Sequence, residues 1–310
     1  MVTGASGFVG AEVCRKLIEE GYDVVAVVSP FSKPTRLKSI QKKLLIINAN
    51  LADEKNVHKI FEKYKPQIVL HLATHGVYRY QQDDENRIVI DNFLMMNHLL
   101  RYSVEFGIYK FINTGSVFEY GTRKGKVNGT DVDLADILDK YSAIKMATTA
   151  LANSYADNLK VLTLRLFTVY GPEEDGSRFI KSTIKSAISN MSIRIAPGVV
   201  RDFVYVEDVA RAYVNSVKSN FESGEIINIG FGVKRDLYAV AKMIKKVTKS
   251  KSEIIIDSLR KKNKDSFVWA DISKARKILN WSPKFSMLQG IKKILFSIQN
   301  CKQGEFYNGD

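Results

Sequence analysis

The first half of the chain alternates short apolar runs with amphipathic stretches. DVVAVV (23–28), KLLIINA (43–49), QIVLHLA (67–73), KFINTGS (110–116) and KVLTLRLF (160–167) are rich in β-branched residues and apolar throughout. Strands covered on both faces of a parallel sheet read this way. Between them, residues 11–20, 56–64, 91–106 and 141–157 carry helical periodicity. Strand, helix, strand at this spacing predicts right-handed crossovers and an α/β fold, a Rossmann-like doubly wound parallel sheet. After Gly171-Pro172 the alternation weakens into a helix over 179–190, the stretch RDFVYVEDVARAYVNSV (201–217), GEIINIG (224–230), and helices near 236–247 and 273–279. The pattern predicts a dinucleotide-binding domain over 1–167 and a smaller mixed α/β substrate lobe over 168–310, with 203–218 returning to the first domain. No low-complexity linker or internal repeat interrupts it.

Composition narrows the classes of function. A chain of 310 residues can bury one large core and carry a companion lobe. No apolar run reaches eighteen residues, so no membrane span is expected, and Gly4, Ser6 and Gly7 interrupt any signal-peptide pattern at the start. Cys14 and Cys301 are the two cysteines, too few for a disulfide framework, so a reduced, cytoplasmic protein is expected. Cys14 is read as a packing residue on the first helix. The net charge is +14, but its lysines are scattered along the chain with only short clusters such as Lys42-Lys43. That distribution argues against nucleic acid and suits attraction for a phosphorylated small substrate. His58, His71, His75 and His98 lack metal-ligand spacing, and no metal site is expected.

The opening MVTGASGFVG places Gly4, Gly7 and Gly10 in GxxGxxG spacing, with Ser6, Phe8 and Val9 between them. Glycines permit a tight turn and let backbone amides approach a pyrophosphate at the following helix N-terminus. Preference for NAD usually places a carboxylate at the end of the second strand. Here Val28 and Ser29 stand there, with Lys33 and Arg36 behind. NADP is therefore the expected cofactor, with Ser29, Lys33 and Arg36 as phosphate ligands and NAD as the alternative. Only three residues precede Gly4, about half an average strand. A shortened first strand is expected, with neighbouring backbone groups partly unpaired; a start assigned a few residues late, or a truncated gene, would account for it.

Tyr141 and Lys145 in YSAIK fall four residues apart on one helical face. A neighbouring cation is expected to lower the phenol's pKa into a range useful for proton transfer. Ser116 ends the strand KFINTGS, where strand ends converge on a ligand crevice.

With these residues, TGASGFVG, NLAD (50–53), HLA (71–73), NTGSVFEYG (113–121), LRLFTVYGP (164–172), RDFVYVEDVA (201–210) and ADISKARKILNWSPK (270–284) resemble the extended short-chain dehydrogenase/reductases, in the sugar-nucleotide epimerase, dehydratase and 4-ketoreductase group. The resemblance spans nearly the whole chain. It implies Tyr141 as acid/base, Lys145 at the nicotinamide ribose and Ser116 at the reacting sugar oxygen. It places Asn50, where an Asp is usual, and Leu51 at the adenine, and Leu72 and Ala73 along the cofactor. Arg201 matches an arginine on the nucleotide diphosphate, and Arg260 a second one, one residue out of spacing. Thr168, where Asn is common, and Arg178 join the substrate set, while His75 and Tyr78 near the hydride site shape sugar selection. The resemblance also implies a homodimer through helices 91–106 and 141–157, with Met95-Met96 as core or subunit contact.

A dehydratase of this group carries adjacent Asp and Glu after the catalytic hydroxyl. Here Val117 and Phe118 occupy those positions and Glu119 is displaced by one, which disfavours dehydration. The expected reaction is reduction of a nucleotide-linked 4-keto-6-deoxyhexose, with hydride from NADPH, a proton from Tyr141 and Ser116 stabilising the oxyanion. An NAD-dependent 4-epimerase is the alternative. A non-catalytic cofactor sensor is the second, which the retained Ser116, Tyr141 and Lys145 argue against.

Overall fold

The computed structural model describes residues 1–76, 85–137, 139–258 and 267–301. The first part of the chain forms β1 Val2–Thr3, α1 Phe8–Glu19, β2 Val25–Val28, β3 Leu45–Asn48, α2 Glu54–Tyr64, β4 Ile68–His71, α3 Glu85–Glu105, β5 Lys110–Ser116, β6 Lys124–Val127, α4 Lys140–Asn153 and β7 Val161–Leu166. There follow β8 Thr168–Tyr170, α5 Phe179–Ile188, β9 Ile193–Ile195, β10 Val200–Arg201, β11 Phe203–Tyr205, α6 Val206–Lys218 and β12 Glu225–Ile229. The last part holds β13 Arg235–Asp236, α7 Leu237–Thr248, β14 Ile254–Ile256, β15 Phe267–Ala270, α8 Ser273–Leu279 and α9 Met287–Cys301.

Seven parallel strands form the central sheet in the order β12-β7-β5-β4-β1-β2-β3. The strand order reverses between β1 and β4, which opens a crevice at their carboxyl ends. Apolar runs buried on both faces account for the middle strands: every residue of β7 is buried. β3 departs from that pattern, with exposed ends, because it lies at the sheet's edge. On one face α1 packs against α6, with Cys14, Val209, Tyr213 and Trp281 in a shared core. On the other, Phe61, Met96 and Leu99 of α2 and α3 cover Val69, Phe111 and Val161. Both Met95 and Met96 are core residues here.

The smaller lobe has its own core, in which Ile180 and Ile184 meet Val240 and Ile291. The sheet also reaches further along the chain than 203–218: β12 pairs with β7 over Glu225–Ile229. Asp202 fastens the lobe, its carboxylate accepting from the amides of Phe231 (2.8 Å), Gly232 (2.9 Å) and Ala270 (2.9 Å). No described helix is long and apolar enough to cross a membrane.

β1 is two residues long, yet it sits between two neighbours, Val2 opposite both Ala26 and Leu70. The amine of Met1 donates to the Ile68 carbonyl at 2.8 Å, and Leu70 N–H donates to the Met1 carbonyl at 2.9 Å.

Candidate active site

The glycine turn is closed sterically. Gly4 has φ +66°, and a Cβ there would lie 2.7 Å from the Ala73 nitrogen. At Gly10 a Cβ would lie 2.2 Å from the Gly4 carbonyl oxygen, so both positions demand glycine. Gly7 is the N-cap of α1 and provides no side-chain cap. The first-turn amides therefore remain open to an anion at the positive end of the helix. Cradle and helix end together fit the pyrophosphate of a dinucleotide, with Ser6, Phe8 and Val9 around it.

Beside the turn, Thr3 pairs its hydroxyl with His71 Nδ1 at 2.8 Å and accepts the Ala73 amide at 3.2 Å. Burial, with a smaller push from Lys145, pulls His71 down to about 3. The ring is neutral and structural, and it fixes Leu72 and Ala73 against Gly4. Asn50 folds its side chain onto the Ala52 amide at 3.0 Å, and Leu51 is buried. Ser29 and Lys33 are exposed after β2. Arg36 turns inward instead: Nε donates to the Glu173 carbonyl at 3.0 Å and a terminal nitrogen to the Ser6 carbonyl at 3.3 Å. Arg15 of α1 grips the Glu173 carboxylate at 2.8 and 2.9 Å and the Arg36 carbonyl at 2.7 Å. Arginine geometry suits such a junction, which joins the glycine turn, the loop after β2 and the segment entering α5.

Ser116, Tyr141 and Lys145 converge at the end of β5. Ser116 caps the short turn that follows, accepting from the Phe118 amide at 3.3 Å, and its hydroxyl hydrogen-bonds Tyr141. Asp139 starts α4 by accepting from the amide and hydroxyl of Ser142 at 2.8 and 2.7 Å, which sets the angle at which Tyr141 enters. Lys145 Nζ donates to the Thr114 carbonyl at 3.1 Å. The expectation of a lowered tyrosine pKa is corrected: burial pushes Tyr141 up to about 12, against the Ser116 hydrogen bond. Lys145 is pulled down to about 8 by burial, partly opposed by Glu119. The phenol thus carries its proton at neutral pH.

Glu119 is fully buried; its carboxylate holds the Ser116 amide at 2.6 Å and the Arg165 guanidinium at 2.7 Å. With both oxygens committed, it is no free acid for an elimination.

Thr168 begins β8, and its amide donates to the Asp202 carbonyl. Arg178 is the exposed N-cap of α5, and its charge lowers the pKa of both Tyr141 and Glu174. Arg201 lies directly opposite Arg235 in the antiparallel β10–β13 ribbon. Side chains opposite one another share a face, and the Arg201 guanidinium donates to the Val200 carbonyl at 2.8 Å. Arg235 was not visible in the sequence, because only the pairing of distant strands brings it to Arg201. His75 Nδ1 lies 3.2 Å from Asp91, and Asn92 ties the same loop through the His75 amide and carbonyl at 3.0 and 3.1 Å. Asp139 and Asn92 were also missed; the N-cap spacing Asp139–Ser142 could have revealed the first. Arg260 and Tyr78 fall outside the described residues.

A glycine cradle at the switch point, with a protonated phenol beside a serine hydroxyl and one helical turn from a lysine, defines a short-chain type of nicotinamide-dinucleotide enzyme. The model of the NAD dependent epimerase/dehydratase family matches residues 1–230, and the chain belongs to that family. It is 29% identical to a UDP-glucuronate 4-epimerase of Thermodesulfobacterium geofontis, over 94% of each chain. A Thermotoga maritima UDP-glucose 4-epimerase with UDP-glucose superposes with a TM-score of 0.86 at 28% identity, covering 97% of this chain and 98% of that one. A Bacillus cereus UDP-glucuronic acid 4-epimerase with UDP-glucuronic acid and NAD gives 0.84 at 26% identity, covering 96% and 98%.

Proposed function

We propose that this protein inverts C4 of a nucleotide-diphosphate hexose, with NAD retained in the crevice. The observation carrying this reading over net reduction is the Arg15–Arg36–Glu173 junction, which ties the glycine turn at the Ser6 carbonyl to the loop after β2 and the segment entering α5. A net reductase must exchange spent cofactor at every turnover, whereas a 4-epimerase takes and returns the same hydride. The similar epimerases, one of them holding NAD, support the same choice.

When bound, the dinucleotide supplies the hydride couple at C4 and, oxidised, a positive charge that favours the phenolate of Tyr141. Tyr141 takes or returns the C4 hydroxyl proton. Ser116 hydrogen-bonds the same oxygen and stabilises its developing charge. Lys145 holds a ribose hydroxyl and the local positive potential, and Arg201 with Arg235 suits the diphosphate. Leu94 and Ile90 expose apolar surface on α3, which supports a homodimer through α3 and α4.

A second reading, an NADPH-dependent 4-ketoreductase, is favoured by one feature: no carboxylate follows β2, and Ser29 and Lys33 stay exposed there. NMR of UDP-glucose incubated with the protein in D2O separates the readings. Epimerisation predicts the C4 epimer without deuterium at C4; an unchanged UDP-glucose, with formation of a 4-hydroxy sugar only when NADPH and a 4-keto substrate are supplied, supports the reductase.

A further inference from the structure

Glu119 stands three residues after Ser116, and the two form a reciprocal capping box on the short turn that follows β5. Ser116 Oγ accepts from the Phe118 amide at 3.3 Å, while Glu119 Oε1 accepts from the Ser116 amide at 2.6 Å. An amide N–H only donates, so the Ser116 hydroxyl proton is directed away from the turn. It is left for the phenol of Tyr141, with which the hydroxyl pairs, and for a substrate oxygen beside it.

Glu119 is itself held through the neighbouring strands. Its Oε2 accepts from Nε and a terminal nitrogen of Arg165 on β7, at 3.1 and 2.7 Å. The other terminal nitrogen of Arg165 donates to the Gly129 carbonyl at 3.0 Å, and the guanidinium covers the Tyr120 ring at 4.7 Å. The Tyr120 hydroxyl in turn lies 2.6 Å from Asn228 Oδ1 on β12. Both side chains of the ion pair are enclosed, Arg165 1% and Glu119 0% exposed. β5 makes room for the carboxylate at Gly115, where a Cβ would lie 2.6 Å from Glu119 Oε1. A buried ion pair adds little net stability over apolar side chains of similar volume. What this one supplies is an acceptor of fixed position behind a catalytic residue.

We propose that Glu119 is a positioning residue: through the Ser116 amide it sets where the Ser116 hydroxyl meets Tyr141 and the reacting sugar oxygen, and Arg165 fixes its direction. It takes no proton in the reaction, because both its oxygens are occupied. The proposal rests on the reading of Ser116 and Tyr141 as the proton-transfer pair, which a 4-epimerase and a 4-ketoreductase share.

A double-mutant cycle between Glu119 and Ser116 tests it. Glu119→Leu is made together with Arg165→Met, so that no buried charge is left unpaired, and Ser116→Ala is made in the wild type and in that pair. The leucine pair should lower kcat about tenfold to a hundredfold, the cost of a misplaced catalytic group. Its calorimetric Kd for UDP-glucose and its bound dinucleotide should stay within about twofold of wild type, since the hydroxyl acts in the transition state. Glu119→Gln with Arg165→Met keeps an acceptor for the Ser116 amide and should restore most of the rate. Adding Ser116→Ala to the leucine pair should cost no more than about threefold further, because residues that act as a unit are not additive. Glu119→Asp keeps the charge beside Arg165 but is one methylene shorter and cannot reach the Ser116 amide as well. It gives the same comparison in a chain whose ion pair is intact. An unchanged kcat in the leucine and aspartate variants, fully additive losses with Ser116→Ala, or no rescue by glutamine overturns the proposal. The cycle is read in whichever of the two reactions the wild type performs: a wild type that only reduces a 4-keto sugar sinks the 4-epimerase reading alone, and one that does neither sinks both.

Discussion

Glu174 and Tyr141 show how far one environment moves a side chain from its ordinary chemistry. The buried Glu174 has a folded pKa of about 8 against 4.5 unperturbed. Between those values the folded state binds more protons than the unfolded one, so its contribution to stability falls as pH rises through that window. Glutamine cannot ionise. Glu174→Gln should therefore be more stable than wild type at pH 8, by roughly 3 to 5 kcal/mol if the carboxyl alone changes. The difference should vanish below about pH 4.5, where both states of the acid are protonated. Urea unfolding at the two pH values measures it, and a difference independent of pH would contradict the assignment. None of this could be read from the letters EED: burial distinguishes Glu174 from its neighbours, and burial depends on how α5 closes over the segment. Ser116, Tyr141 and Lys145 were legible because their spacing within one strand end and one helix face is local. The direction of the tyrosine shift was not, since enclosure outweighs its hydrogen bond.

Among elements, the junction of α1, the loop after β2 and the segment entering α5 governs cofactor retention in this reading. Arg15 supplies most of its hydrogen bonds. Arg15→Ala should leave the glycine cradle intact and speed release of bound NAD about tenfold or more, the effect of losing one to two kcal/mol of charge-assisted hydrogen bonding. Release can be followed by cofactor fluorescence after reduction of the bound NAD. An unchanged release rate would show that the junction holds the lobes together without gating the cofactor. Sequence reasoning placed Arg36 at a 2′-phosphate because it follows β2. The fold gives its Nε and one terminal nitrogen to the carbonyls of Glu173 and Ser6, contacts between segments far apart in the chain. Short β1 was legible from the three residues before Gly4, whereas the role of the Met1 amine at Ile68 required the neighbouring strand.

At the scale of the whole molecule, the doubly wound parallel sheet followed from the alternation of apolar runs, because buried parallel strands have a distinctive composition. The return of β12 to the main sheet did not follow, since GEIINIG lies beyond the point where alternation fades and pairs with a strand some sixty residues earlier. A two-fold association through α3 and α4 would cover the exposed Ile90 and Leu94. Leu94→Asp should then convert a dimer to monomers in sedimentation velocity with the helical signal unchanged, while a wild type already monomeric at micromolar concentration would contradict the association.

The central claim, C4 inversion by retained NAD, is tested most directly by one measurement on the protein purified without added cofactor. NAD released on denaturation is counted per chain, and the same preparation is given UDP-glucose alone. The expected result is close to one NAD per chain and appearance of the C4 epimer with no external nicotinamide. Protein free of NAD that leaves UDP-glucose unchanged, yet oxidises NADPH against a nucleotide-linked 4-keto sugar, would contradict it.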